Sequence, residues 1–174
     1  MFLKAFKEKT NKKYLNKLLS EREVNVDTKK VYSLAVIINI DENSNYNLFK
    51  TLANKLHVHE NRIKVVGYSK EVTNDLNAWD VCFNSKDFGW HGSISNAELQ
   101  GFLDEDFDVL ISYYLQDSLE MKLMTAKSKA HLKIGLLQTD IRLNDLIINT
   151  NLNEYEVFEM EVIKYLTTLN KIKK

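Results

Sequence analysis

The chain has 174 residues, of which 44% are hydrophobic and 28% charged. This composition is typical of one globular domain rather than of a disordered chain. The single cysteine, Cys82, excludes an intramolecular disulfide framework and a cysteine-rich metal site, and it is consistent with a reducing compartment. The sequence has no apolar run of about 18 residues, and residues 1–19 lack the apolar core of a secretory signal. We therefore expect a cytoplasmic protein without a transmembrane segment.

The formal net charge is zero, but the charges are unevenly distributed. Residues 1–30 hold nine Lys or Arg and four acidic residues, a net charge of +5, whereas residues 31–174 hold fifteen and twenty, a net charge of −5. A basic segment on an acidic body can bind phosphate backbones or anionic lipid through electrostatic contacts. It can equally fold back onto the acidic body as a solvated, lysine-rich helix face.

The first twenty residues are predicted to form a basic helix, and residues 20–30 a polar linker. Apolar residues recur near one face of this helix, although lysines interrupt them. Such a helix suits docking onto its own domain, onto a protein partner or onto a second copy of the chain, and RNA is a further candidate. The apolar residues are Phe2, Leu3, Phe6, Tyr14 and Leu18. The candidate contact lysines are Lys4, Lys7, Lys9, Lys12, Lys13 and Lys17.

Residues 31–174 are predicted to form a single α/β domain. Four long apolar segments are expected to be strands buried on both faces, as in a parallel sheet covered by helices. Residues 81–85 are a candidate for a further short strand, and residues 143–149 for a fifth strand or a buried connector. Helical patterns separate the long strands, which predicts βαβ units in a Rossmann-like or flavodoxin-like, mostly parallel sheet of about four or five strands. The four long segments cover residues 31–40, 62–69, 108–114 and 132–138.

The chain is predicted to end in an amphipathic helix that begins at about Asn153. Asn153 and Glu156 have the spacing of a capping box. The buried stripe of this helix is predicted to be Tyr155, Phe158, Val162, Leu166 and Leu169.

Polar residues after the third and fourth long strands form the first candidate site. Ligands of an open parallel sheet bind beyond the carboxyl ends of its strands. We therefore expect four ligand-binding candidates to converge at one rim, where an arginine would meet a carboxylate or a bound anion. The alternative is that each carboxylate caps a helix or a turn, as Asp often does. The four candidates are Asp117, Asp140, Arg142 and Asp145.

The loop NSKDFGWHGSIS, residues 84–95, is the second candidate site, and we call it the Trp90 loop. It places Lys86, Asp87, Trp90 and His91 on backbone punctuated by two glycines. Trp90 is predicted to bury its ring as an anchor, because large rings in short loops usually pack against the core. The polar residues around it either bind a ligand or partner, or are simply solvated.

The usual motifs of nucleotide-binding enzymes and hydrolases are missing. Neither GxGxxG nor GxxxxGK[ST] nor GxSxG occurs in the sequence. His57, His59 and Glu60 are close to metal-ligand spacing, but without a third histidine or cysteine nearby we interpret them as polar helix-end residues. We expect no cofactor and no bound metal ion.

Three stretches carry a resemblance that covers nearly the whole chain: KDFGWHGSI, then FDVLISYY with LMTAKSKAHLKIGL, then DIRLNDLIIN. They resemble an uncharacterised domain family of flavobacteria and their relatives, which implies no particular activity. FDVLIS followed by AKSKAHLKIGL is also similar to the N-terminal half of heptosyltransferase-type glycosyltransferases. This second resemblance implies a Rossmann-like fold rather than glycosyl transfer.

Three functions are compatible with the sequence. We favour a small, non-enzymatic interaction or adaptor protein that uses the basic helix and the Trp90 loop as contact surfaces. The alternative is an enzyme or ligand-binding domain with its site at the sheet rim. The third is an RNA- or ribosome-associated protein that binds through the lysines of the helix.

Overall fold

A computed structural model of the protein describes residues 1–24, 26–71, 81–138 and 140–172. This part of the chain contains five α-helices and six β-strands. The helices are α1 (Phe2–Ser20), α2 (Asn47–Lys55), α3 (Ala97–Asp104), α4 (Leu119–Lys127) and α5 (Tyr155–Thr168). The strands are β1 (Leu34–Asn39), β2 (Ile63–Tyr68), β3 (Val81–Phe83), β4 (Val109–Tyr113), β5 (Leu132–Leu136) and β6 (Leu146–Ile148).

The six strands form one sheet in the order β3-β2-β1-β4-β5-β6, and every neighbouring pair is parallel. This is the strand order of the Rossmann fold, in which the direction of winding reverses between β1 and β4. The predicted α/β class and Rossmann-like parallel sheet are therefore confirmed. The sheet has slightly more strands than predicted, because both of the ambiguous segments contribute a three-residue edge strand, β3 and β6.

Each face of the sheet carries its own hydrophobic core. Leu34, Val36 and Ile38 of β1 point into the core under α2 and α5, whereas Ala35 and Ile37 point into the core under α1, α3 and α4. All five side chains are buried, which explains the unbroken apolar run in the sequence. Complete burial of one aliphatic side chain of this size stabilises the fold by about 1.5–3 kcal/mol.

The start of α5 differs from the prediction. The helix begins after Glu154, and the Glu154 carboxylate accepts hydrogen bonds from the backbone and side-chain amides of Asn151 at 2.8 and 3.0 Å. The predicted capping box of Asn153 and Glu156 is therefore wrong. The predicted buried stripe is confirmed except for its last residue, Leu169, which is exposed just beyond the helix end.

The polar segment after α1 is held against the sheet by charged side chains. Asp27 accepts a hydrogen bond from the buried Lys171 ammonium at 3.0 Å, and its other carboxylate oxygen lies 2.7 Å from His131 Nδ1. Arg22 forms an ion pair with Asp145. These contacts attach the segment to the body on both sides of residue 25.

Candidate interaction surface

α1 lies over the second face of the sheet and contacts α4 and the Trp90 loop. Its buried side chains are Leu15 and Leu19, which join the core, and Asn11. Helix periodicity places these three on one face, which leaves Phe2 and Phe6 on the opposite side. Phe2 and Phe6 of the predicted apolar stripe are therefore not part of the face that packs on the body, and docking of the stripe onto a partner stays a prediction.

Asn11 joins α1 to the Trp90 loop through both ends of its amide. The side-chain NH₂ donates to the carbonyl oxygen of Gly89 at 3.0 Å, and the side-chain oxygen accepts from the backbone N–H of Gly92 at 2.9 Å. A buried amide with partners on both sides specifies one arrangement of helix and loop. Sequence reasoning missed Asn11, because an amide within a helix gives no signal of its partner.

Two lysines attach the same loop to the helices beside it. Lys7 of α1 donates to the carbonyl oxygen of Phe88 at 2.8 Å, and Lys127 of α4 donates to that of Gly92 at 2.6 Å. Burial lowers the pKa of Lys127, and the carboxylate of Asp104 partly opposes this effect. Because its ammonium donates to the loop, Lys7 contributes to the packing of α1 against the loop as well as to the charge of the helix.

Asp87 organises the inside of the loop. Its carboxylate accepts from the backbone N–H of Asn84 at 2.9 Å, while the Asn84 side chain accepts from the N–H of Lys86 at 2.8 Å. Asn96, which caps α3, donates to Asp87 at 3.3 Å. The candidate Asp87 thus has a structural role, while the Lys86 side chain is exposed beside it.

Trp90 is not the buried anchor of the loop. That place is taken by Phe88, which is buried and packs 6.1 Å from the ring of Phe83. The Trp90 ring is instead partly exposed, and its centroid lies 5.8 Å from that of Phe6 on α1. His91 beside it is exposed and has a left-handed backbone, with φ 55°.

Phe2, Leu3, Phe6 and Trp90 together form an exposed apolar group that we call the aromatic tip. Their exposed fractions are 85%, 72%, 52% and 42% respectively. Scattered apolar residues are common on protein surfaces, whereas four large neighbouring ones make this group a candidate contact site.

The lysines of α1 divide into two groups. Lys7 binds the loop carbonyl, and Lys12 pairs with Glu8 along the helix at 2.7 Å. Lys9, Lys13 and Lys17 are exposed and follow Phe2 and Phe6 at helical spacing along the face of α1 that points away from the body. We call these three residues the outward lysines. Lys4 is also exposed and lies with Lys86 along a groove of about 520 Å³ between α1 and the loop.

The rim candidates do not all meet. Asp117 and Asp140 line one groove of about 410 Å³ beside α1, where Asp117 pairs with Lys122 at 3.1 Å. Arg142 pairs with Asp140 at 2.6 Å, and its guanidinium holds the pKa of that carboxyl below its ordinary value. Two of the predicted carboxylates thus come together, each with a cation of the same chain.

Asp145 lies at the amino ends of the strands, away from the rim at their carboxyl ends, so the predicted convergence of all four residues is wrong. Its carboxylate accepts from the backbone N–H of Lys133 at 2.7 Å, near the amino end of β5. Because β6 runs parallel to β5, the chain must return to the amino end of β5 before β6 begins. Asp145, immediately before β6, therefore reaches the amino ends of the strands.

The crevice between β1 and β4, where Rossmann-like proteins bind ligands, is crossed by a side chain of this protein. The Glu42 carboxylate accepts from the backbone N–H groups of Leu115 and Gln116 at 3.1 and 2.8 Å. Asp41 likewise accepts from the hydroxyl of Ser69 at 2.7 Å. Backbone amides that would suit an anion are thus occupied by internal carboxylates. Sequence reasoning missed Glu42, because one acid after a strand does not reveal its target.

The thiol of Cys82 is not activated as a nucleophile. Burial raises the pKa of the Cys82 thiol to about 11, which opposes formation of a nucleophilic thiolate. Among the residues that the structure describes, no group of three His, Cys, Asp or Glu side chains could hold a metal ion. Within the same residues no helix is long and apolar enough to cross a membrane.

Comparison with known proteins identifies a family. A domain family described as of unknown function, DUF6913, matches residues 7–169. No curated protein and no solved structure matches the chain. The match includes most of α1, the loop, the whole sheet and α5. The protein therefore belongs to this family of unknown function.

Proposed function

We propose that this protein is a small, non-enzymatic interaction or adaptor protein whose contact surface is the aromatic tip together with the outward lysines of α1. The observation that carries the proposal is the exposure of Phe2, Leu3, Phe6 and Trp90 side by side. Each large apolar side chain gains about 1.5–3 kcal/mol when it becomes fully buried. Aromatic residues are also enriched among those that dominate binding energy at interfaces.

The way in which the loop is held supports the same proposal. Phe88, Asn11 and Lys7 fix the loop on the body, so Trp90 is presented on a supported backbone. A side chain that is already positioned loses less conformational freedom on binding than one on a mobile segment. Trp90 thus has the exposure and the support expected of a contact residue.

A ligand site at the sheet rim is the second candidate function. The groove beside α1 that contains Asp117 and Asp140 favours it, because its polar residues converge there. The ion pairs of both carboxylates and the Glu42 contacts in the crevice argue against it. RNA or ribosome binding through the α1 lysines is the third candidate function. A cytoplasmic location and the similarity to heptosyltransferases stay predictions.

The proposal can be tested by photocrosslinking in cells that produce the protein. Benzoylphenylalanine replaces Phe6 in one variant and Met160 in a control, since Met160 is 58% exposed on α5, over the other face of the sheet. We expect a covalent adduct, to protein or to lipid, from position 6 and none from position 160. The product should disappear when Trp90→Ala is added, because both rings belong to one surface. Equal products from both positions, or none from position 6, would contradict the proposal.

A further inference from the structure

The contact surface separates its apolar residues from its charges. Phe2, Leu3 and Phe6 occupy the first turns of α1, and Trp90 lies against Phe6 at the same end. Lys9, Lys13 and Lys17 then continue along the outward face, away from that end. An apolar end followed by a basic flank is therefore the pattern that the partner must match.

Cations also border the apolar end on its other side. Lys4 and Lys86 are exposed along the groove of about 520 Å³ between α1 and the loop. Glu8 and Glu120 line the same groove and partly offset this charge. Over the whole helix, six lysines and one glutamate give a net charge of +5.

The apolar area of the tip does not by itself choose the partner. A fully exposed aromatic side chain contributes about 150–250 Å², so the exposed fractions of the four tip residues amount to roughly 500 Å². This is close to the apolar part, roughly 450 Å², of the about 800 Å² that a stable protein complex buries on each partner, so the arrangement of rings and charges has to decide. A bilayer needs no matching pocket, and Trp together with basic residues is typical of the zone where apolar and charged surfaces meet.

We propose that the partner of this surface is an anionic lipid bilayer, with the aromatic tip inserted at the headgroup boundary and the outward lysines over the phosphates. This inference rests on the proposed function, because it names the partner of the same surface. The charge complementarity of α1 supports it. The net charge of −5 on residues 31–174 opposes adsorption through the rest of the protein and so orients α1 towards the membrane.

Single-stranded RNA fits the arrangement less well. Proteins that bind single strands place aromatic rings along the same groove that tracks the phosphates, so that successive bases stack. Here the rings lie together at one end of the helix and the outward lysines lie beyond them. RNA binding is therefore the competing outcome of the test.

The test is co-sedimentation of the full chain with vesicles of phosphatidylcholine alone and of phosphatidylcholine with phosphatidylglycerol. We expect binding only to the anionic vesicles, together with a blue shift of tryptophan fluorescence that Trp90→Phe removes. Phe6→Ala with Trp90→Ala should reduce partitioning at least tenfold, and Met160→Ala, the apolar control on α5, should leave it unchanged.

Charge reversal of the outward lysines gives the second arm. One lysine near an anionic surface changes partitioning about fivefold, so loss of three such cations corresponds to roughly 100-fold. Lys9→Glu, Lys13→Glu and Lys17→Glu together, which also add three anions, should therefore lower partitioning by at least about 100-fold. A matched control reverses three exposed lysines elsewhere, Lys50, Lys129 and Lys164. Circular dichroism melting of every variant distinguishes lost binding from lost folding.

Three results would overturn the inference: equal binding to neutral and anionic vesicles, equal loss in both lysine triples, or a Trp90 shift produced by single-stranded RNA and not by vesicles. The proposed function is judged separately. A protein adduct from position 6 without vesicle binding would refute the membrane alone. Loss of both signals would refute the contact surface itself.

Discussion

Replacing Gly92 with alanine is expected to loosen the attachment of α1 to the Trp90 loop. Gly92 has φ 65°, a backbone conformation that costs a residue with a Cβ atom about 1–2 kcal/mol. An added Cβ would also lie 2.7 Å from Cδ1 of Tyr14 and 3.3 Å from Cδ2 of Leu123. Overpacking of this kind typically costs about 1–3 kcal/mol. Both contributions destabilise, so the free energy of unfolding should fall by roughly 2–5 kcal/mol.

Gly101→Ala is the matched control for this prediction. Gly101 lies within α3, and a Cβ built there meets no atom within 4 Å. Alanine in a helix interior is favoured over glycine by about 0.5–1 kcal/mol, so this variant should be slightly more stable than the wild type. The two substitutions make the same chemical change and are expected to have opposite effects.

Thermal unfolding followed by circular dichroism provides the measurement. For a protein of this size 1 kcal/mol corresponds to about 2–4 °C in Tm, so Gly92→Ala should lower Tm by at least about 4 °C. Gly101→Ala should raise it by about 1–4 °C. If Gly92→Ala melts at the same temperature as the wild type and leaves the fluorescence of Trp90, measured in a Trp79→Phe background, unchanged, the described packing of helix and loop is refuted.

Three further predictions concern groups inside the fold. Burial raises the pKa of the Cys82 thiol to about 11. At about pH 8 the native thiol should therefore react with a disulfide reagent about 100-fold more slowly than the thiol of the chain unfolded in urea. Equal rates would exclude that burial. Burial lowers the pKa of Lys133 to about 8, so at this lysine the unfolded chain binds more protons above about pH 8, and its contribution to the free energy of unfolding should rise by up to about 1.4 kcal/mol per pH unit towards pH 10. Cys82, whose pKa is raised, acts in the opposite direction in the same window, so urea titrations at both ends should be compared between wild type and Lys133→Met. An equal pH dependence in the two proteins would refute the assignment to Lys133. Ser118 caps α4 by accepting from the N–H of Met121, so Ser118→Ala should cost about 1 kcal/mol in urea unfolding, whereas Ser20→Ala, at an exposed helix end, should cost less than about 0.5 kcal/mol.

The strands that local sequence predicts are those whose burial requires no knowledge of their neighbours. In β1, residues 34–39 are all buried, and an unbroken apolar run indicates that environment directly. β3 and β6 are three residues long and only partly buried, so their runs are too short to distinguish a strand from a connector. The Rossmann-like class could thus be predicted, while the number of strands could not.

The errors at the candidate sites arise where long-range packing decides. Whether Trp90 is buried depends on where α1 lies, because Phe6 and Tyr14 come from a segment about eighty residues earlier. The position of Asp145 depends on the parallel direction of β6, and the sequence of a three-residue strand does not indicate that direction. Periodicity alone also gave no weight to Asn11 in the packing of α1 on the body, since it could not foresee the two hydrogen bonds of that amide.

Sequence reasoning left two fates for the basic segment: binding an external anion, or folding back onto the acidic body. In the folded protein α1 does fold back, but it does so through Leu15 and Leu19 in the core and through Asn11 and Lys7, which donate to backbone carbonyls. These contacts need no acidic partner from the body. The outward lysines consequently keep their charge at the surface, beside the aromatic tip. Helix docking and anion binding are therefore compatible, because one face of α1 performs the first and the opposite face is available for the second.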